Sequence, residues 1–178
     1  MAQRFPDAKV IAIDIVPETV VQARDNVEAS PFVSRITVLE KDINNFLVDS
    51  DRHFDAIVSN PPYYIDALTC PDKQRTTARH TESMTYEILM QRSSELLGNN
   101  GELSVIVPTE CRLQMEQAAA MSGLILSRLC AVKTTASKPP RRYLLAFRKQ
   151  LVCIVQYAEM VIGDQEYNKL LHDYYLKM

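Results

Sequence analysis

The chain has 178 residues, 20 Lys+Arg against 22 Asp+Glu, 47% hydrophobic and 24% charged residues, and four glycines. Ordinary apolar content and a net charge of -2 exclude a disordered or broadly polycationic chain. There is no apolar run of membrane-spanning length and no basic region followed by an apolar leader, so one globular domain in the cytoplasm is expected. Gly98, Gly101, Gly123 and Gly163 form no G-x-G, which removes a glycine-rich phosphate loop from these residues.

Lys9 to Asp14 is a short apolar run ending in an acid and predicts a buried parallel strand. Pro17 suits the first turn of a helix that runs with Val20, Val21, Arg24 and Val27 at helical spacing to about Ala29, where Ser30-Pro31 stops it. Arg35 to Leu39 predicts a second strand, followed by Asp42 and a short apolar turn through Phe46. Phe54 to Ser59 predicts a third, leading straight into Asn60-Pro61-Pro62-Tyr63. Residues 64–82 read as a long polar loop. A helix capped by Ser83 or Thr85 is expected to reach Leu97 with Gly98 as its C-cap. Glu102 to Val107 predicts a fourth strand, and a helix from about Glu110 ends at Gly123. Leu124 to Val132 and Tyr143 to Arg148 predict two strands joined by a basic, proline-containing turn. Leu151 to Tyr157 is a further extended run before a terminal helix through Tyr167, Leu170, Leu171 and Tyr174. Alternating strands and helices that give way to a hairpin predict an α/β fold: a mostly parallel sheet with an antiparallel C-terminal hairpin.

Cys70, Cys111, Cys130 and Cys153 make no C-x-x-C and are expected to be reduced, mostly core residues, with no metal site. Basic residues concentrate from Lys133 to Lys149, where six Lys/Arg stand without an Asp or Glu.

The sharpest signal is Asn60-Pro61-Pro62-Tyr63. It follows the carboxyl end of a predicted strand, the place where ligands sit in open α/β sheets. Two prolines remove two backbone N–H groups, so carbonyl oxygens can face inward without competing donors. The Asn60 side-chain carbonyl and the Pro61 backbone carbonyl can each accept one N–H of a planar amino group, which aims the nitrogen lone pair. Tyr63 offers a flat face to an extruded base. The bland alternative is an Asx-Pro turn with a packed tyrosine.

With this motif the chain resembles the class I S-adenosylmethionine-dependent methyltransferases, in particular the amino-methylating group with N/D-P-P-Y/F. The resemblance implies a Rossmann-like sheet and S-adenosylmethionine as cofactor. It implies that Asp14, with Ile15 beside it, holds the cofactor ribose, and that Asp42, with Ile43, reads its adenine, Asn60 being shared between cofactor and substrate. A strand-end polar residue and a helix N-cap are the alternatives for Asp14 and Asp42. Within that superfamily the chain is most similar to the bacterial tRNA(Val) adenine-N6 methyltransferases, through residues 59–63, 78–90, 140–147 and 170–178. This implies methylation of an adenine N6 in tRNA, with Asn60, Pro61, Pro62 and Tyr63 catalytic. The family's first, central strand and glycine-rich loop have no counterpart in these residues. Residues 1–178 are therefore expected to be a single, N-terminally truncated methyltransferase domain, whose open edges strand exchange between copies can heal.

Lys138, Arg141 and Arg142 in the basic turn, with Arg79 and His80 after the motif, are candidate tRNA contacts; a solvated hairpin tip is the alternative. Other functions stay open at this point: a glutamine-amide methyltransferase of the same fold, whose substrate also presents a planar NH2, and a non-catalytic RNA-binding remnant. DNA adenine methylation is a further rival, but it usually needs a target-recognition region, and none fits in these residues.

Overall fold

The structure, a computed structural model, describes residues 1–46, 53–62 and 85–174. Its backbone separates into two compact units, whose described residues are 1–46 in one, and 53–62 with 85–174 in the other.

The first unit is a strand–helix–strand element. Strand β1 (Val10–Asp14) leads into helix α1 (Pro17–Glu28), and after a 3₁₀ turn at Val33–Arg35 the chain returns as β2 (Ile36–Glu40). Pro17 stands in the first turn of α1, where its missing N–H costs nothing. Ser30 ends the helical segment: its hydroxyl donates to the Val27 carbonyl (2.8 Å) and accepts from the Phe32 N–H (3.2 Å). β1 and β2 pair in parallel, Val10 beside Ile36 and Asp14 beside Glu40. Arg24 of α1 donates twice to the Val38 carbonyl (3.2 and 3.1 Å), so a helix side chain ties down the backbone of β2. Arg35 gathers the N-terminal turn by donating to the carbonyls of Ala2, Phe5 and Ala8. Ala2, Val20 and Phe46 are the buried apolar side chains here.

The second unit is built on a five-stranded sheet. Its strands are β3 (Phe54–Ser59), β4 (Leu97–Pro108), β5 (Ile125–Lys133), β6 (Arg142–Arg148) and β7 (Gln156–Val161), in the order β3-β4-β6-β5-β7. β3 and β4 are parallel, as are β5 and β7, and β6 runs antiparallel to both neighbours. Helices α2 (Tyr86–Leu96) and α3 (Arg112–Met121) touch each other; α2 also packs on β4 and α3 on β5. The core combines Leu103, Val105 and Val107 of β4 and Leu145 and Phe147 of β6 with Leu89 and Met90 of α2 and Met115 of α3. Thr85 caps α2 by accepting the Ile88 N–H at 3.3 Å, as expected. Gly123, at φ 72°, closes the segment that follows α3. Helix α4 (Gln165–Leu171) is capped by Asp164 and holds Tyr167, Leu170 and Leu171.

The structure corrects three expectations. Gly98 is not a helix cap: Leu97 leaves α2 in an extended conformation (φ -72°, ψ 141°) because it already pairs with Phe54, so β4 begins five residues earlier than its apolar run. The extended run Leu151 to Tyr157 is strand only from Gln156, and the strand continues to Val161; Leu151 and Ile154 are 90% and 81% exposed. Of the three cysteines among the described residues, Cys111 is buried, Cys130 half-buried and Cys153 exposed, so one of these three is a core residue. Cys70 and the expected loop at 64–82 lie outside the described residues. Among the described residues, no helix is long and apolar enough to cross a membrane.

Candidate active site

In the first unit the two candidate carboxylates stand at the carboxyl ends of adjacent parallel strands. Asp14 is the last residue of β1, and Asp42 follows β2 by two positions. The Lys41 N–H donates to the Asp14 carbonyl at 3.0 Å, so the two strand exits are locked to each other. Asp14 Oδ1 accepts the Val16 N–H at 2.8 Å, which fixes the turn into α1. Asp42 Oδ1 accepts the Asn44 N–H (2.9 Å) and side-chain amide (3.0 Å), capping the 3₁₀ turn Ile43–Asn45. Both structural roles weighed from the sequence are thus present, and neither uses up the carboxylate. Each side chain is oriented through one oxygen, and the second retains its capacity to accept from an outside donor. Ile15 and Ile43, exposed and half-buried, flank these acids.

In the second unit Asn60, Pro61 and Pro62 leave the carboxyl end of β3, Ser59 lying beside Val105 of β4. Asn60 is exposed, whereas Pro61 is buried and anchors the strand exit. Tyr63, Arg79 and His80 lie outside the described residues.

The topology brings the basic turn to the same end of this sheet as Asn60. β4 runs parallel to β3 and ends at Pro108, which faces Arg142, the first residue of the antiparallel strand β6. The connection from Lys133 to Arg142 therefore lies at the same end of the sheet as the carboxyl ends of β4 and β5. Lys138, Arg141 and Arg142 are all exposed there. The Thr109 hydroxyl donates to the Pro140 carbonyl (2.6 Å) and its N–H to the Arg141 carbonyl (3.2 Å). Arg112, held by Glu116 through a 2.6 Å bond, lies 4.8 Å over the Tyr143 ring.

The six-residue basic run does not form one patch. Arg148 lies at the opposite end of β6, about 20 Å from Arg142 at the usual strand rise. It shares Glu102 with Arg128, and Lys149 donates to the Leu97 carbonyl at 2.7 Å. Lys133 stays at the end of the sheet that carries Asn60, paired with Glu159 at 2.8 Å. Glu159 also accepts from the Tyr157 hydroxyl at 2.8 Å. The Lys133 ammonium and then the Tyr157 hydroxyl hold the Glu159 carboxyl below its ordinary range, and the same bond raises the Tyr157 phenol. Burial, and then the Glu159 charge, push the Cys130 thiol up.

Two features of this end escaped the sequence. Thr109 carries no motif, and its only signal is its place directly after a strand. The Lys133–Glu159–Tyr157 cluster depends on the parallel pairing of β5 with β7, which no local pattern announces.

The family model described as Eco57I restriction-modification methylase matches residues 10–128. A tRNA1(Val) (adenine(37)-N6)-methyltransferase of Bacteroides thetaiotaomicron is 36% identical over 190 residues, spanning 100% of the chain and 77% of that protein. Among solved structures, a predicted O-methyltransferase of Agrobacterium tumefaciens superposes with a TM-score of 0.70 at 20% identity, over 97% of the chain and 79% of that structure. A Listeria monocytogenes candidate class I S-adenosylmethionine-dependent methyltransferase does so with a TM-score of 0.62 at 16% identity, over 94% and 54%. The fold is that of these methyltransferases.

Proposed function

Because the chain belongs to the tRNA1(Val) (adenine(37)-N6)-methyltransferase family, we propose that it transfers a methyl group from S-adenosylmethionine to the N6 amine of an adenine in tRNA. The observation that carries this reading is the shared end of the five-stranded sheet. Asn60-Pro61-Pro62, built to accept from a planar amine, leaves β3 at the end where Lys138, Arg141 and Arg142 are exposed.

The donor set in the first unit suits the cofactor. Asp14 and Asp42 are half-buried acids, each oriented through one oxygen with acceptor capacity left. That complements the vicinal hydroxyls of a ribose and the exocyclic amine of an adenine, beside the apolar Ile15 and Ile43. When bound, the cofactor supplies an electrophilic methyl group on a sulfonium.

The chain's own contribution is orientation. The Asn60 carbonyl and the Pro61 carbonyl accept the two N–H groups of the adenine amine, which turns the nitrogen lone pair out of conjugation and points it at the incoming carbon. The buried Pro61 fixes the strand exit, so little reorganisation is needed when the amine becomes positively charged. No strong base is required, because the proton leaves an already cationic amine. Tyr63 would stack on the extruded base, while Lys138, Arg141 and Arg142, together with Arg79 and His80, would take phosphates of the anticodon arm.

The test is incubation of the chain with unmodified tRNA and methyl-labelled S-adenosylmethionine, followed by nucleoside analysis. Label is expected as N6-methyladenosine and is expected to fall at least about 100-fold in Asn60→Ala, the scale of a lost transition-state contact. Label on a protein glutamine with none on RNA would replace this reading by the amide one. Binding of tRNA without binding of S-adenosylhomocysteine would favour the non-catalytic one.

A further inference from the structure

Within the turn between β5 and β6 the Lys138 N–H donates to the Thr135 carbonyl at 3.2 Å, but the stretch from Pro139 to Arg141 is held differently. Pro139 and Pro140 have no N–H to donate, and the Arg141 N–H is spent on the Val132 carbonyl at 2.9 Å, inside the hairpin. The β4 residue facing Arg142 is Pro108, the last of that strand, which also lacks a donor. The next donors, just past the end of β4, both belong to Thr109, and both reach the turn: the hydroxyl to the Pro140 carbonyl and the N–H to the Arg141 carbonyl. From this we infer that Thr109 is a positioning residue, pinning the basic turn to the exit of the strand next to β3 so that Arg141 and Arg142 stand at a fixed offset from Asn60.

The inference rests on the reading of the turn as a tRNA contact, which it deepens. The peptide N–H of position 109 survives any side-chain change, so the hydroxyl is the part that sequence controls. Valine is the isosteric replacement without a donor. Because Thr109 is exposed, its loss leaves the core untouched. What changes is the freedom of the turn, and with it the cost of ordering the arginines on the phosphates.

The experiment compares the chain with Thr109→Val, Thr109→Ser and the double variant Arg141→Ala/Arg142→Ala, measuring tRNA affinity across a salt series and the melting temperature. Thr109→Val is expected to weaken binding by about 3- to 10-fold near 0.1 M salt and to make the log–log salt slope shallower by roughly one, as phosphate contacts are lost. Its melting temperature is expected to stay within about 3 °C of the parent, and Thr109→Ser, which keeps the donor, to bind like the parent. An unchanged affinity in Thr109→Val alongside a loss in the double variant would overturn the pin and leave the RNA reading standing. Failure of Thr109→Ser to recover binding would also overturn it, since the hydroxyl would not be the agent. If the double variant binds like the parent, the turn does not contact RNA and both readings fall.

Discussion

Gly101 of β4 leaves no room for a side chain against the backbone of β3. A Cβ there would lie 2.7 Å from the Phe54 carbonyl oxygen and 2.8 Å from Leu97 Cδ2, beside the register irregularity between Phe54 and Ala56. Gly98 is different, because its nearest neighbours would be at 3.6 Å or beyond, an ordinary contact. Gly101→Ala is therefore expected to destabilise by about 1–3 kcal/mol, lowering the melting temperature by about 2–10 °C, while Gly98→Ala stays close to the parent. Equal melting of the two variants would show that β4 yields at Gly101. Glu159 supports a second prediction at this scale. Its folded pKa is depressed by Lys133 and Tyr157, so its contribution to stability is complete above the unfolded carboxylate range and is lost as pH falls through the folded value. Tyr157 is raised, so its contribution is complete below the ordinary phenol range and is lost as pH rises through its folded value. Glu159→Gln should melt below the parent at about pH 7, converge on it as pH falls through the lowered Glu159 value, and bring the Tyr157 ionisation midpoint, read by ring-carbon resonance, down toward ordinary phenols. A melting difference independent of pH would remove the charge from this account.

At the scale of elements, the sequence told most where one segment carries its own signal. Strands β1, β2 and β3 fall within a residue of their apolar runs, Thr85 caps α2, and Gly123 follows α3 in the left-handed conformation that only its missing Cβ makes easy. Errors arose where a partner decides. Gly98 is extended because Leu97 pairs with Phe54, and β7 starts at Gln156 because that residue pairs with Arg128 of β5, leaving the apolar residues 151–155 outside the ladder. The basic run shows the same limit: residues close in sequence sit at opposite ends of β6 once it is extended. Separate ends mean separate effects on tRNA affinity. Replacing Lys138 and Arg141 by alanine is expected to weaken binding by about 10-fold and flatten its salt dependence. Replacing Arg148 and Lys149 is expected to change binding less than about 2-fold, since Arg148 is matched by Glu102 and Lys149 by a carbonyl. Equal losses in the two pairs would show that the RNA follows the whole run.

Across the whole molecule, burial is unevenly shared, and that bears on the candidate cofactor residues. The first unit buries Ala2, Val20 and Phe46, and every residue of β1 is at most half-buried; the second holds all the other buried apolar side chains among the described residues. Local opening is governed by how much apolar contact must be broken, so amides of β1 and β2 are expected to exchange hydrogen at least about 10-fold faster than those of β4 and β6. Asp14 and Asp42 close the two strands of this weakly buried unit, so a ligand held by them is worth more there than in an already rigid sheet. At about 100 times its dissociation constant, a ligand that binds only the closed form adds about 2.7 kcal/mol. Saturation with S-adenosylhomocysteine is accordingly expected to slow exchange in residues 10–14 and 36–40 by about 100-fold and to leave β4 and β6 within about 3-fold of their unliganded rates. Asp14→Asn should abolish that protection at equal ligand concentration. Protection of the second unit alone would move the cofactor away from these acids and leave them their structural roles, the turn into α1 and the cap at Asn44.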